Sequence, residues 1–269
     1  MVRFPVIAIA VGLSAIFAAV VFSSKDPGLF VNIPGLMIII GGVLTALFFS
    51  YSKADILLAI RAVKQLFDSA PIDKQQTIRD LTGIAYLWSR HDLRAIEKKL
   101  PSIDNSFLRT GVQHIIDGRT NTEIASVLQW KIRQLHNAEY RSAKMFHSLA
   151  TFAPAFGMVG TLLGLVNMMF LINDQEMTSI ANHLAIALVT TFYGLIFANI
   201  FFKPIAIKLE RRADGLVEWM RVLTEGIMMI EQRKSAAFIE LAMETLDPYQ
   251  PRTMSTTVTS SQLDPIANP

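Results

Sequence analysis

Residues 153–165 read APAFGMVGTLLGL, a segment apolar enough for a lipid bilayer yet holding a proline, three glycines and one hydroxyl. A plain anchor would be built from Leu, Ile and Val, so these small residues ask for a reason. The surrounding chain supplies the setting. With 269 residues, 52% of them hydrophobic and only 17% charged, the composition exceeds that of an ordinary soluble domain. Four apolar runs approach the roughly 20 residues that a helix needs to cross a bilayer. They cover residues 4–22, 31–51, 146–172 and 180–202, and none contains Asp, Glu, Lys or Arg.

Charge placement sets the expected orientation. Residues 52–145 carry fifteen of the 25 Lys and Arg, and eight more follow from Lys203. The turn between the first two spans has Lys25, and the turn around Asp174 and Glu176 has none. Positively charged segments stay on the cytoplasmic side, so both termini and the large middle segment are expected there. A cleaved signal peptide is disfavoured, because no small-x-small site follows the first run and a second span begins within about ten residues. Cysteine is absent, which excludes disulfides and thiolate chemistry. The pI near 9.2 reflects topology rather than nucleic acid binding, since ten acidic residues are interleaved with the basic ones in residues 52–145.

The expected fold is an all-α membrane protein with four transmembrane helices. A large helical cytoplasmic region separates helices 2 and 3, and a long helix continues from helix 4 into the cytoplasm. The corresponding segments are 1–51 (spans 1 and 2), 52–145 (cytoplasmic helices), 146–202 (spans 3 and 4), 203–246 (a helical region after span 4) and 247–269 (a Pro-, Ser- and Thr-rich disordered tail). Helical periodicity is predicted over residues 75–89, 93–99, 105–116 and 121–145, with an N-cap at Asn121 or Thr122. An apolar stripe (Ile205, Leu209, Leu216, Leu223, Ile227, Ile230) runs on through about Leu246.

No enzyme motif stands out. The five histidines, His91, His114, His136, His147 and His183, have no metal-ligand spacing, and no P-loop or nucleophile elbow occurs. The spans say more. At 100° per residue, Pro154, Gly157, Gly160, Thr161 and Gly164 share one face of the third span. Ala187, Thr191, Gly194 and Ala198 share one face of the fourth, with Thr190 at its edge. Gly41, Gly42 and Thr45 fall in mid-membrane in the second. Close helix packing explains such faces; so does a narrow, slightly polar path in which hydroxyls and carbonyls replace part of an ion's hydration shell. An ion path needs an ionisable group, and the spans hold none. Either nothing is conducted or a partner supplies the carboxylate.

The strings FAPAFGMVGTLLGLVNMM and ALVTTFYGLIFANIFFKPIAIKL, the glycine-rich second span and the insertion of about ninety residues resemble MotA/PomA, the flagellar stator subunits of the MotA/TolQ/ExbB group. The resemblance implies a homo-pentamer around a dimer of a MotB/PomB-like single-span protein that supplies the ion-binding Asp. It also implies a bacterial inner-membrane location, a FliG-type rotor protein as the second partner, no enzymatic activity, and no cofactor beyond the transported Na+ or H+. By resemblance, Thr161, Thr191 and Thr190 line the ion route, and Pro154 and Pro204 are the coupling prolines. Gly157, Gly160, Gly164, Gly194, Gly41 and Gly42 pack helices. The threonine string favours sodium. SRHDLRAIEKKL resembles the family's rotor-facing Arg…Glu helix, placing that pair at Arg90 and Glu97, although Gln129 and Lys131 stand where relatives are commonly acidic. A nonflagellar ion-driven machine and a non-conducting scaffold are the alternatives.

Overall fold

The computed structural model describes residues 27–68, 73–171 and 177–246, with single positions between 7 and 22. The first expected span is thus described only at scattered positions. The turn around Asp174 and Glu176 and the tail after Leu246 lie outside the described residues. Among the described residues every regular element is helical: α1 (Ile33–Ser50), α2 (Lys53–Asp68), α3 (Lys74–Ser89), α4 (Leu93–Lys99), α5 (Ser106–Ile116), α6 (Asn121–Leu171), α7 (Met177–Ile196), α8 (Lys203–Glu231) and α9 (Ala236–Leu246). Short 3-10 turns occupy Pro27–Phe30 and Leu100–Ser102, and a π-helical stretch, Phe197–Phe202, links α7 to α8. Within the described residues, α1, α6 and the α7–α8 run each contain a stretch long and apolar enough to cross a membrane.

The chain divides into two compact units, Met1–Lys74 with Thr122–Arg221 and Gln75–Asn121 with Val222–Pro269. In the first, the sequence NIP starts α1. The Asn32 carboxamide oxygen accepts from Gly35 N–H at 3.1 Å, and Pro34 occupies the first turn, where a missing N–H leaves no orphan. Ile39, Val43 and Leu47, one helical turn apart, bury against Met145, Leu149 and Ala153 of α6 and Ala198. Tyr51, just past α1, meets the Ser148 hydroxyl at 2.7 Å. Amphipathic α2 turns Ala59 and Ala62 inward, the latter beside Ala143 and Leu209. Two histidines of α6 face acids of α8: His147 Nε2 lies 3.1 Å from Glu210, and His136 Nε2 3.7 Å from Asp214.

The second unit has an aliphatic and aromatic core. Leu81, Ile84, Ile96, Phe107, Leu108, Leu223 and Ile227 are all fully buried. Gly111 and Gly226 let α8 approach: a Cβ at Gly111 would stand 2.6 Å from Ile227, and one at Gly226 2.7 Å from Leu81.

Periodicity located most elements, with three differences. Asn121 is the first residue of α6, so the helix begins one residue earlier than a cap at Asn121 would place it and two earlier than a cap at Thr122. The expected run and the third span join without a break into one helix of 51 residues. The stripe after the fourth span does break, at residues 232–235, where the polar QRKS interrupts it and Arg233 adopts φ 58°. A left-handed residue ends the α-helical ladder whatever the apolar spacing beyond it.

Candidate functional site: the contact between α6 and α7

The small-residue faces read from the sequence meet each other. A Cβ on Gly157 would lie 3.2 Å from Thr191 Cα, and one on Gly164 2.6 Å from Ala187 Cβ. Gly160 abuts the Thr190 side chain. In return, a Cβ on Gly194 would stand 2.7 Å from the Ala153 carbonyl oxygen and 3.2 Å from Pro154 Cα. Glycine is needed at Gly194 because the obstruction is backbone, which cannot step aside. In α1, Gly42 lies under the Phe156 ring, whereas Gly41 has open space where a side chain would stand. Among the described residues no neighbour stands against Gly41.

The three threonines differ. Thr190 is fully buried and donates back to Ile186 O at 2.8 Å, wedged between Gly35 and Gly160. Thr191 is half-buried, and its hydroxyl crosses the helix contact to donate to Gly157 O at 3.2 Å. Thr161, also half-buried, donates to Met158 O at 2.6 Å. Thr191 is thus the hydroxyl that ties the two spans through a backbone carbonyl.

The two prolines are accommodated differently. Pro154 sits inside α6, where its missing N–H deprives the Ala150 carbonyl of its intrahelical donor. Pro204 follows the π-helical stretch, in which Lys203 N–H reaches back to Ala198 O, and Asn199 Nδ2 donates to Leu195 O at 3.0 Å. A wider turn ahead of a proline absorbs the ladder mismatch, and such stretches recur at functional sites.

Periodicity gave no weight to Asn32 and Tyr193, yet they build the polar node at one end of this contact. Asn32 Nδ2 donates to Ile186 O at 3.1 Å, the carbonyl that also receives Thr190. Asn32 N–H donates to the Tyr193 hydroxyl at 3.0 Å, and that hydroxyl donates to Phe30 O. The Asn-x-Pro cap signal could have found Asn32; nothing local marks its link to α7.

Arg90 and Glu97 lie in the second unit and are exposed. They belong to different elements: Arg90 is in the turn after α3, its guanidinium 4.7 Å from the Tyr86 ring, and Glu97 is on α4. Lys131, on α6 before the membrane span, is half-buried, and desolvation lowers its ammonium below the ordinary lysine value. Among the described residues no cluster of three metal-ligating side chains occurs.

A multi-pass, all-helical membrane protein whose last spans join through glycines and a hydroxyl-to-carbonyl bond is the class that this geometry defines. The profile of the MotA/TolQ/ExbB proton channel family matches residues 99–222. Motility protein A of Cereibacter sphaeroides is 30% identical over 240 residues, covering 87% of this chain and 92% of that protein. Motility protein A of Treponema pallidum (strain Nichols) is 29% identical over 229 residues, covering 84% and 87%. A solved structure of C. jejuni MotAB shares the fold, with a TM-score of 0.82 at 20% identity, covering 94% of this chain and 98% of that one. The chain belongs to the MotA/TolQ/ExbB proton channel family, alongside the motility proteins A.

Proposed function

We propose that this chain is the ring subunit of an ion-driven flagellar stator, converting an inward flow of Na+ or H+ into rotation that drives the rotor. Near-full-length similarity to motility proteins A supports the motor role. The chain then has four spans, residues 4–22 being the first, in the bacterial inner membrane with both termini cytoplasmic. Five copies surround a dimer of a MotB/PomB-like partner, and a FliG-type rotor protein meets the exposed Arg90 and Glu97.

The observation that carries the ion role is the Thr191 hydroxyl bound to Gly157 O between α6 and α7. It offers an ion one oxygen of each kind, hydroxyl and carbonyl, in a contact that side-chain charge never enters. Thr161 adds a second hydroxyl on α6, and the Ala150 carbonyl released by Pro154 a further acceptor. These groups can replace hydration oxygens but cannot hold a proton or fix a charge. The partner's carboxylate supplies that step. Thr190, buried behind the contact, positions the route from inside. The π-helical stretch before Pro204 gives the end of the fourth span a place to bend as the partner's carboxylate loads and unloads. The threonine hydroxyls favour Na+, which is bound by oxygen ligands.

The test is rotation speed in cells expressing the chain with its partner, sodium being varied at a fixed proton gradient. Thr191→Ala is expected to abolish ion-dependent rotation while leaving assembly intact, and Thr191→Ser to retain it. Normal rotation of Thr191→Ala in both sodium and proton gradients would overturn the assigned ion role.

A further inference from the structure

Among the described residues of the second unit, two other than glycine hold left-handed backbones, His91 at φ 59° and Arg233 at φ 58°. Each closes a helix in the same way. At the end of α3, Asp92 N–H donates to Leu87 O at 3.2 Å and His91 N–H to Trp88 O at 3.1 Å. At the end of α8, Lys234 N–H donates to Met229 O at 3.0 Å and Arg233 N–H to Ile230 O at 2.9 Å. This paired closure ordinarily takes glycine at the left-handed position, because a Cβ crowds the following carbonyl. The end of α5 obeys that preference with Gly118, at φ 68°. The two side chains retained against it meet each other: the Arg233 guanidinium donates to His91 Nε2 at 2.5 Å, across 142 residues of sequence.

The pair sits in a patch of defined chemistry. Arg90, Arg94, Lys98 and Lys234 are exposed beside it in sequence, with the acidic Asp92, Glu97 and Glu231 among them. The Asp92 carboxylate is taken up by Ala95 N–H at 3.0 Å. The Lys99 ammonium is folded onto Gly83 of α3 and so turns away. Tyr86 and Leu93 are exposed between these charges. Arginine over tyrosine with an exposed leucine is the composition of a protein interface. Interspersed carboxylates suit a protein of mixed but net acidic charge better than a uniform array of phosphates.

We propose that His91 and Arg233 clasp the α3–α4 and α8–α9 turns into a single docking face for an acidic surface of a partner protein. The inference rests on the stator reading, in which this unit engages the rotor, and it adds the α8–α9 turn, to which no sequence motif pointed. His91 and Arg233 are positioning residues: their bond fixes the spacing between Arg90 in one turn, with Arg94 at the start of α4 just beyond it, and Lys234 in the other.

His91→Gly, Arg233→Gly and the double variant, each in the full chain with its membrane partner, test this. Glycine suits both backbones, so the melting temperature should hold or rise. Torque in a bead-rotation assay and stator occupancy at the motor should fall, with roughly three- to tenfold weaker engagement, the worth of one lost hydrogen bond. The double variant should lose no more than either single one. Ion flux through the complex in vesicles should stay unchanged. Additive losses would mean that the two residues touch the partner separately, overturning the clasp. A fallen melting temperature would make the pair a folding element and overturn the docking role. Unchanged torque in all three variants, with torque lost in Arg90→Ala/Glu97→Ala, would overturn the clasp and leave the rotor reading standing. Unchanged torque in both sets would overturn the rotor reading and the clasp together.

Discussion

The α6–α7 contact of the first unit and the core of the second show two ways of holding helices together. In the second unit the contact is made by bulky side chains, Leu81, Ile84, Phe107, Leu108, Leu223 and Ile227, and glycine appears where α8 must come close. Between α6 and α7 the contact is made by Gly157, Gly160, Gly164, Ala187 and Gly194, so that one backbone nearly touches the other. Large apolar side chains point away from that contact, Leu162, Leu163 and Val166 on α6 and Leu188 on α7 being exposed. The difference follows from the solvent. In water, burying a leucine is favourable by itself. In lipid, hydrocarbon surrounds the leucine already, and helices associate through close van der Waals contact and hydrogen bonds to carbonyls.

The sharpest way to break this comparison is Leu81→Ala. Leu81 is fully buried, and its truncation should destabilise the second unit by about 2–5 kcal/mol. Hydrogen exchange should show lost protection in α3 and α5, with α6 and α7 unaffected within the spans. Equal loss in both places would mean that the units do not open separately. Gly194→Ala comes next. Its methyl would meet the Ala153 carbonyl, and overpacking of this kind costs about 1–3 kcal/mol. Thermal unfolding in detergent should register it, and a neutral result would show the contact to be looser than its geometry. The smallest effect is expected from Tyr193→Phe, which removes the hydroxyl between Asn32 N–H and Phe30 O. Leaving the Asn32 donor unpaired should cost about 1–3 kcal/mol, at the lower end where lipid headgroup water reaches it. Exchange at the Asn32 amide is the direct readout.

Much of the molecule was legible because its elements are long and strongly patterned. Helices cover the second, third and fourth apolar runs, and α3, α4 and α5 lie where 3.6-residue spacing put them. The two small-residue faces follow from spacing, since residues three and four apart on a helix share a side. What they faced was not legible. Spacing alone gives Thr190 and Thr191 nearly equal claims to an ion route, yet Thr190 is enclosed by Gly35 and Gly160 while Thr191 reaches across to Gly157 O. Gly41 and Gly42 are adjacent glycines in one span, and Gly42 alone has a ring against it. Likewise, the stripe from Ile205 to Leu246 continues in the letters but not in the backbone.

The two prolines draw the same boundary. Sequence determined that both Pro154 and Pro204 would interrupt a ladder of hydrogen bonds, because proline has no N–H wherever it stands. Only the tertiary structure decided how: α6 continues through Pro154, held against Gly194, whereas the chain before Pro204 widens into a π-helix. Local chemistry fixes which atoms lack partners and which faces are apolar. Which atom then comes within reach is set by helices far apart in the chain, as in the links from Asn32 to Ile186 and from His91 to Arg233. No window of sequence contains both members of such a pair.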